Sequence, residues 1–167
     1  GFYEDHLGNF IVSTAEGMVI FDRPTGKVTK RLTDNTWLYT IIQDTDDLDV
    51  VWAVGWEQSF NRYNMKTGEH KVYKHDPNDS KSFAAVTSIR FELDNDDPAL
   101  MWIATWGGGL ELFDKKADAF THFQHDPDNP KTIASNTVFD LVEDSRGLFW
   151  ICTDRGLDKF DKHEGTF

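Results

Sequence analysis

The chain repeats itself. The segment "YKHDPNDSKSFAAVTSIRFELD" at 73–94 realigns on "FQHDPDNPKTIASNTVFDLVED" at 123–144 with an offset of 50. His75/His125, Asp76/Asp126, Pro77/Pro127, Lys81/Lys131, Ala84/Ala134, Thr87/Thr137 and Asp94/Asp144 coincide. The same offset pairs Trp52 with Trp102, Trp56 with Trp106 and Tyr63 with Phe113. "EDHLGNFIVSTAEGMVIFD" at 4–22 aligns without a gap on "EDSRGLFWICTDRGLDKFD" at 143–161, matching Gly8/Gly147, Thr14/Thr153, Gly17/Gly156 and Phe21-Asp22/Phe160-Asp161. Four copies of one unit thus cover nearly all 167 residues, over approximately 1–32, 33–76, 77–126 and 127–167. A period of about 40 to 50 residues lies in the range of propeller blades.

Each unit reads as four short strands. In the last unit the first is "NTVFDLV" (136–142), where Phe139 and Leu141 alternate with polar neighbours. The second is "LFWICT" (148–153), apolar on both faces, which predicts a sheet covered on both sides. The third is "GLDKFD" (156–161), and the fourth resembles "AFTHFQ" (119–124). Turn segments such as "EDSRG" (143–147) and "DKKAD" (114–118) separate them. No stretch sustains a helical period. The expectation is an all-β propeller of four-stranded antiparallel blades packed face to face around an axis. A β-sandwich needs no recurring unit and leaves one face of each sheet open. Repeat counting gives about three and three-quarter blades, from the first turn of one unit to the start of a fourth strand. Propellers close with about four to eight blades. The chain is therefore expected to be a piece of a larger propeller, or to pair with a second copy that completes the ring.

Charge excludes some partners. Lys plus Arg is 17 and Asp plus Glu is 29, a formal net charge of −12. Phosphate backbones and anionic membrane surfaces both require a basic footprint. Neither nucleic acid nor direct membrane contact is expected. Aromatic residues make up 14% of the chain, enough to build a core and to argue against disorder. The single Cys152 excludes an internal disulfide and a cysteine-based zinc site.

The unit resembles the two-component regulator propeller repeat. That repeat reads roughly as strand–E-D-x-x-G-x-L-W-I-G-T-x-x-G-L-x-x-F-D, followed by a linker rich in H-D-P-x-N-P. "LVEDSRGLFWICTDRGLDKFD" (141–161) and "WIATWGGGLELFDKKADAFTHFQHDPDNPKTIASNTV" (102–138) follow it closely. The first blade has Ile11 in place of Trp, and the second has Gly55 for Thr, Ser59 for Gly and Phe60 for Leu. The resemblance implies a sensory ectodomain of a bacterial membrane receptor, located in the periplasm. Such receptors are usually hybrid histidine kinases and sometimes diguanylate cyclases. Their ligands are often carbohydrate fragments.

Alternating strands place the second-to-third turn and the interblade linker at one end of each blade. Loops on a rigid scaffold are where binding resides. That end collects the candidate ligand-binding residues Trp56, Glu57, Trp106, Asp154 and Arg155. Two readings compete for the tryptophans: an aromatic platform for sugar rings, or packing against the neighbouring blade. The "WGGG" run (106–109) opens a strand, so no helix N-terminus supports an anion there. Trp52, Trp102, Trp150 and Ile11 read as core, as do Phe21, Tyr63, Phe113 and Phe160. Cys152 reads as a buried thiol. "DTDDLD" (44–49) and "DNDDP" (94–98) lack a calcium-loop glycine and read as solvated acidic turns. His122 and His125 project to opposite faces and do not form a joint metal site. His75 and His125 are expected to hold the linkers, and Arg90 to pair with Asp140 across blades.

No nucleophile–base pattern, H-E-x-x-H, G-x-S-x-G or phosphate loop is present. The sequence therefore calls for no cofactor, no metal and no catalytic residues. The leading expectation is a non-catalytic sensory or ligand-binding domain. The alternatives are a propeller enzyme, such as a polysaccharide lyase or hydrolase, and a protein-binding scaffold.

Overall fold

The computed structural model describes residues 1–33, 37–56, 60–84 and 87–167. Among them the regular structure is β throughout. The first sheet orders β1 (Phe2–Glu4), β2 (Phe10–Thr14), β3 (Gly17–Asp22) and β4 (Lys27–Arg31). The second orders β5 (Leu38–Gln43), β6 (Val50–Gly55), β7 (Phe60–Asn64) and β8 (His70–Tyr73). The third contains β9 (Ser88–Leu93), β10 (Leu100–Thr105), β11 (Leu110–Asp114) and β12 (Ala119–Phe123). The fourth contains β13 (Val138–Glu143), β14 (Leu148–Thr153) and β15 (Gly156–Asp161). Every sheet is an antiparallel meander in chain order. The strands divide into two compact units, Gly1–Tyr73 and Lys74–Phe167.

Each unit is a pair of sheets packed face to face. In the first, Ile11 and Met18 pack on Leu38, Ile41, Val51, Ala53 and Tyr63. In the second, Trp102, Ala104 and Leu110 pack on Leu141, Phe149, Ile151 and Phe160. The first strands of the paired sheets run side by side, β1 with β5 and β9 with β13. This is the relation that neighbouring propeller blades have at their axis. Burial of each large side chain in these interfaces contributes about 1.5–3 kcal/mol.

One aspartate organises each first turn. Asp5, Asp44, Asp94 and Asp144 accept backbone N–H groups from two residues further along the turn. This is the side-chain mimicry that makes Asp a turn former. Where the second strand carries tryptophan, the other carboxylate oxygen accepts its indole N–H. The distances are 2.5 Å for Trp52–Asp44, 2.8 Å for Trp102–Asp94 and 3.1 Å for Trp150–Asp144. The turns read as solvated are thus anchored inward: Asp44 and Asp94 are buried. The linkers repeat as well. His75 Nδ1 faces the Phe83 carbonyl oxygen at 3.1 Å, and His125 Nδ1 faces that of Ile133 at 2.8 Å. The expected linker role of both histidines holds.

Five expectations need correction. Phe2–Glu4 pairs with β2, so the first unit opens within its first strand rather than at its first turn. Three residues are too short a stretch to show alternation. Trp150 is only half-buried and Cys152 is exposed, because the face they share carries no covering sheet among the described residues. For the same reason β14 is buried on one face only, through Phe149 and Ile151. Phe21 is half-buried, whereas Tyr63, Phe113 and Phe160 are core.

Candidate functional site

In the second unit, the end of the strands that bears the second-to-third turns gathers the exposed aromatic groups. Trp106 follows β10 and is 54% exposed. Its backbone N–H donates to the Thr87 carbonyl, 3.0 Å away. Gly107 and Gly109 both donate to the Asn136 carbonyl at 2.9 Å. Gly109 has φ +85°, and a Cβ there would lie 2.3 Å from the Phe123 carbonyl oxygen. Only glycine fits. The Asn136 side chain accepts the His125 backbone N–H at 2.6 Å, so one asparagine ties the Trp106 loop to the linker.

The Trp106 ring meets Phe139 edge to face, with centroids 6.0 Å apart and planes at 87°. Phe139 lies at a break in the β13–β14 register and is 38% exposed. Its alternation with Leu141 suggested a shared inward face, but the bulge turns Phe139 outward while Leu141 is buried. Comparable shifts occur beside Tyr39 and Ile89 in the first strands of the second and third sheets. Arg155 projects from the β14–β15 turn, its Nη1 3.5 Å from His125 Nε2. The neighbouring Asp154 is exposed and donates its backbone N–H to the Thr137 carbonyl at 3.2 Å. Trp106, Asp154 and Arg155 therefore share one end of this unit. Both readings of Trp106 describe it in part: the indole touches the next sheet and remains half-exposed.

Trp56 belongs to the first unit. It is 49% exposed and donates its backbone N–H to the Trp37 carbonyl at 2.9 Å. Trp37 is itself 60% exposed. A Cβ on Gly55 would stand 2.0 Å from that carbonyl oxygen, which accounts for glycine in place of the repeat's threonine. Glu57 lies outside the described residues, as does Ser59.

Two charged groups in the second unit went unnoticed in the sequence. Glu111 on β11 is fully buried, and burial pushes its carboxyl up to about 9, with the Ala84 amide offsetting part of the rise. Its Oε2 meets His122 Nδ1 at 2.7 Å, and His122 Nε2 meets the Ser80 carbonyl at 2.9 Å. His122 and His125 thus have separate partners. Lys162 follows β15, with its side chain 5% exposed. Its Nζ lies 2.7 Å from Glu143, 2.8 Å from Asp96 and 3.0 Å from Asp94. Burial opposes its charge, but the hydrogen bonds to Asp96, Glu143 and Asp94 outweigh burial and raise its pKa. Burial likewise pushes Asp94 up, while the Trp102 indole, Lys162 and two turn amides hold it below the usual range. The expected Arg90–Asp140 ion pair forms at 2.9 Å, exposed on both sides. No cluster suited to a metal ion occurs among the described residues.

Meandering sheets of three or four strands, paired with their first strands together, place the chain in the class of β-propeller proteins. Residues 132–155 match the family described as two component regulator propeller. Similar solved structures agree on the fold. One is described as the extracellular domain of the hybrid two component system BT3049 from B. thetaiotaomicron. It is 20% identical, with a TM-score of 0.68, over 99% of this chain and 29% of that one. Another is described as the extracellular domain of the one component system BT4673 from the same organism. It is 18% identical, with a TM-score of 0.72, over 95% of this chain and 21% of that one. The chain thus spans less than a third of the length of either structure. No curated protein matches the sequence.

Proposed function

We propose that the chain is a non-catalytic sensory module of a bacterial two-component-type receptor. In this reading it lies on the periplasmic side and binds an oligosaccharide at the Trp106 end of the second unit. The observation that carries the reading is the half-exposed Trp106–Phe139 pair on a rigid frame of strand ends. Its support is the repeat match and the extracellular, signalling character stated for the similar structures. An indole and a phenyl edge offer apolar surface to the C–H face of a pyranose ring. Arg155 and Asp154 supply donors and acceptors for ring hydroxyls, and His125 sits beside Arg155. In the first unit Trp56 offers a comparable exposed indole. A signal follows only if the ligand binds one of two receptor states more tightly. The output, by kinase or cyclase, belongs to the whole receptor.

A glycan array probed with the 167-residue chain tests this. The expected result is binding to a defined oligosaccharide class that weakens about tenfold or more in Trp106→Ala, a loss of about 1.4 kcal/mol. Unfolding of that variant should shift by no more than about 0.5 kcal/mol, as for other surface positions. Retained affinity in Trp106→Ala, or release of cleaved sugar, would overturn the reading.

A further inference from the structure

Within each unit one side chain ties the first turn of one sheet to the first strand of the next. In the second unit it is Glu143, at the end of β13. It accepts the backbone N–H of Asn95, the residue after the turn aspartate Asp94, at 3.2 Å. In the first unit Gln43 holds the same position of the repeat, at the end of β5. It accepts the backbone N–H of His6, the residue after Asp5, at 3.0 Å. What completes the tie differs. Lys162 binds Glu143 in the second unit, at 2.7 Å. Met65 stands at the Lys162 position in the first unit and brings no charge.

The Gln43 side chain is buried, with the residue 4% exposed, and its neighbours allow the amide one orientation. Oε1 accepts the His6 N–H, and Nε2 donates to the Leu48 carbonyl at 2.6 Å. Turning the amide over would set oxygen against oxygen and N–H against N–H. Nε2 therefore meets His6 Nδ1, 2.8 Å away, as a donor. Nδ1 must accept, so the ring proton sits on Nε2. An imidazolium carries a proton on both nitrogens and would put a donor against this donor.

The charges around the contact add to that conflict. On the first sheet they are Asp5 and the Glu4–Arg23 pair. On the second they are Asp44, Asp46, Asp47 and Asp49 in the turn that carries Leu48, with Lys66 paired to Asp49 at 3.7 Å. Lys30 of the first sheet reaches the Met65 carbonyl. Acids outnumber bases, so a protonated ring gains by turning towards them and away from Gln43.

We propose that His6 and Gln43 form an acid-released clasp between the first and second sheets. It closes on the neutral imidazole and opens when Nδ1 takes a proton. Imidazole ordinarily changes charge between about pH 5 and 8. The tie in the second unit stays closed over that range, because the hydrogen bonds of Lys162 keep it charged. Glu111 also lies in the second unit and acts in the opposite sense, so a local readout separates the two.

Hydrogen exchange of the 167-residue chain at about pH 5 and about pH 7.5, corrected for the intrinsic rate, tests the proposal. Protection in 5–9 and 43–50 should be about fivefold or more lower at the acid pH, while 94–100 and 143–148 keep theirs. His6→Ala should remove this pH dependence. Gln43→Glu should reverse it, because a carboxylate accepts both the His6 N–H and an imidazolium N–H. The imidazole nitrogen chemical shifts read the tautomer with no substitution, and at neutral pH the His6 proton is expected on Nε2. A proton on Nδ1 at neutral pH would overturn the proposal. So would protection in 5–9 that is the same at both pH values, that falls no more than in 94–100, or that falls as far in His6→Ala.

Discussion

Glu111 shows how far a residue's behaviour can depart from its type. It lies on β11 between Leu110 and Leu112, fully buried, against His122. Its carboxyl rises from 4.5 to about 9. A folded-state value above the unfolded one means that the native protein holds this proton while the unfolded chain releases it. The stabilising effect is complete below the unfolded value and is lost as pH climbs towards the folded one. Chemical denaturation between about pH 5 and pH 9 should therefore show stability falling with pH, and Glu111→Gln should flatten that slope because it mimics the protonated acid. An unaltered slope in Glu111→Gln would show that the residue is ionised in the native state. No sequence signal announced this. An acid between two leucines reads as a strand residue facing water unless the covering linker is known. His125 was legible because it recurs with its whole linker at His75, and a recurring polar residue in a loop needs a recurring partner. His125→Ala should cost about 1 kcal/mol, the usual worth of a hydrogen bond to a buried carbonyl.

At the scale of the elements, the strands of the last unit were readable because short apolar runs alternate with Asp-Gly turns. β14 and β15 fall where the sequence put them. What one strand cannot report is the sheet lying against it. Trp102 and Trp150 occupy the same position of the repeat, but only Trp102 is covered. The reading of Cys152 as buried failed for that reason. The bulge that turns Phe139 outward is likewise a matter of pairing between strands rather than of the residues in one. The Lys162 cluster is a buried electrostatic link between the third and fourth sheets. Lys162→Ala would leave Asp94 and Glu143 buried without their shared cation. It should destabilise the protein by about 3 kcal/mol in urea unfolding, in the range for breaking a buried pair. Lys131→Ala, on an exposed linker position, should change stability by less than about 0.5 kcal/mol. Equal effects from the two would show that the cluster contributes nothing.

For the molecule as a whole, the repeat carried most of the structural information. Recurrence at a fixed offset identified sheet type, strand order and the linker anchors before any contact was known. The candidate site was only partly visible. Trp106, Asp154 and Arg155 were placed together by strand order, whereas Phe139 and Asn136 joined them through a bulge and a backbone approach that leave no mark in a single sequence. The functional claim is that ligand engages the Trp106 end of the second unit and no other part of it. Hydrogen exchange of the chain, with and without an oligosaccharide identified on the array, tests this most directly. Slowed exchange is predicted in 105–109, 135–139 and 153–156. Slowed exchange confined to the first turns at 94–100 and 143–148, at the opposite end of the same sheets, would contradict it.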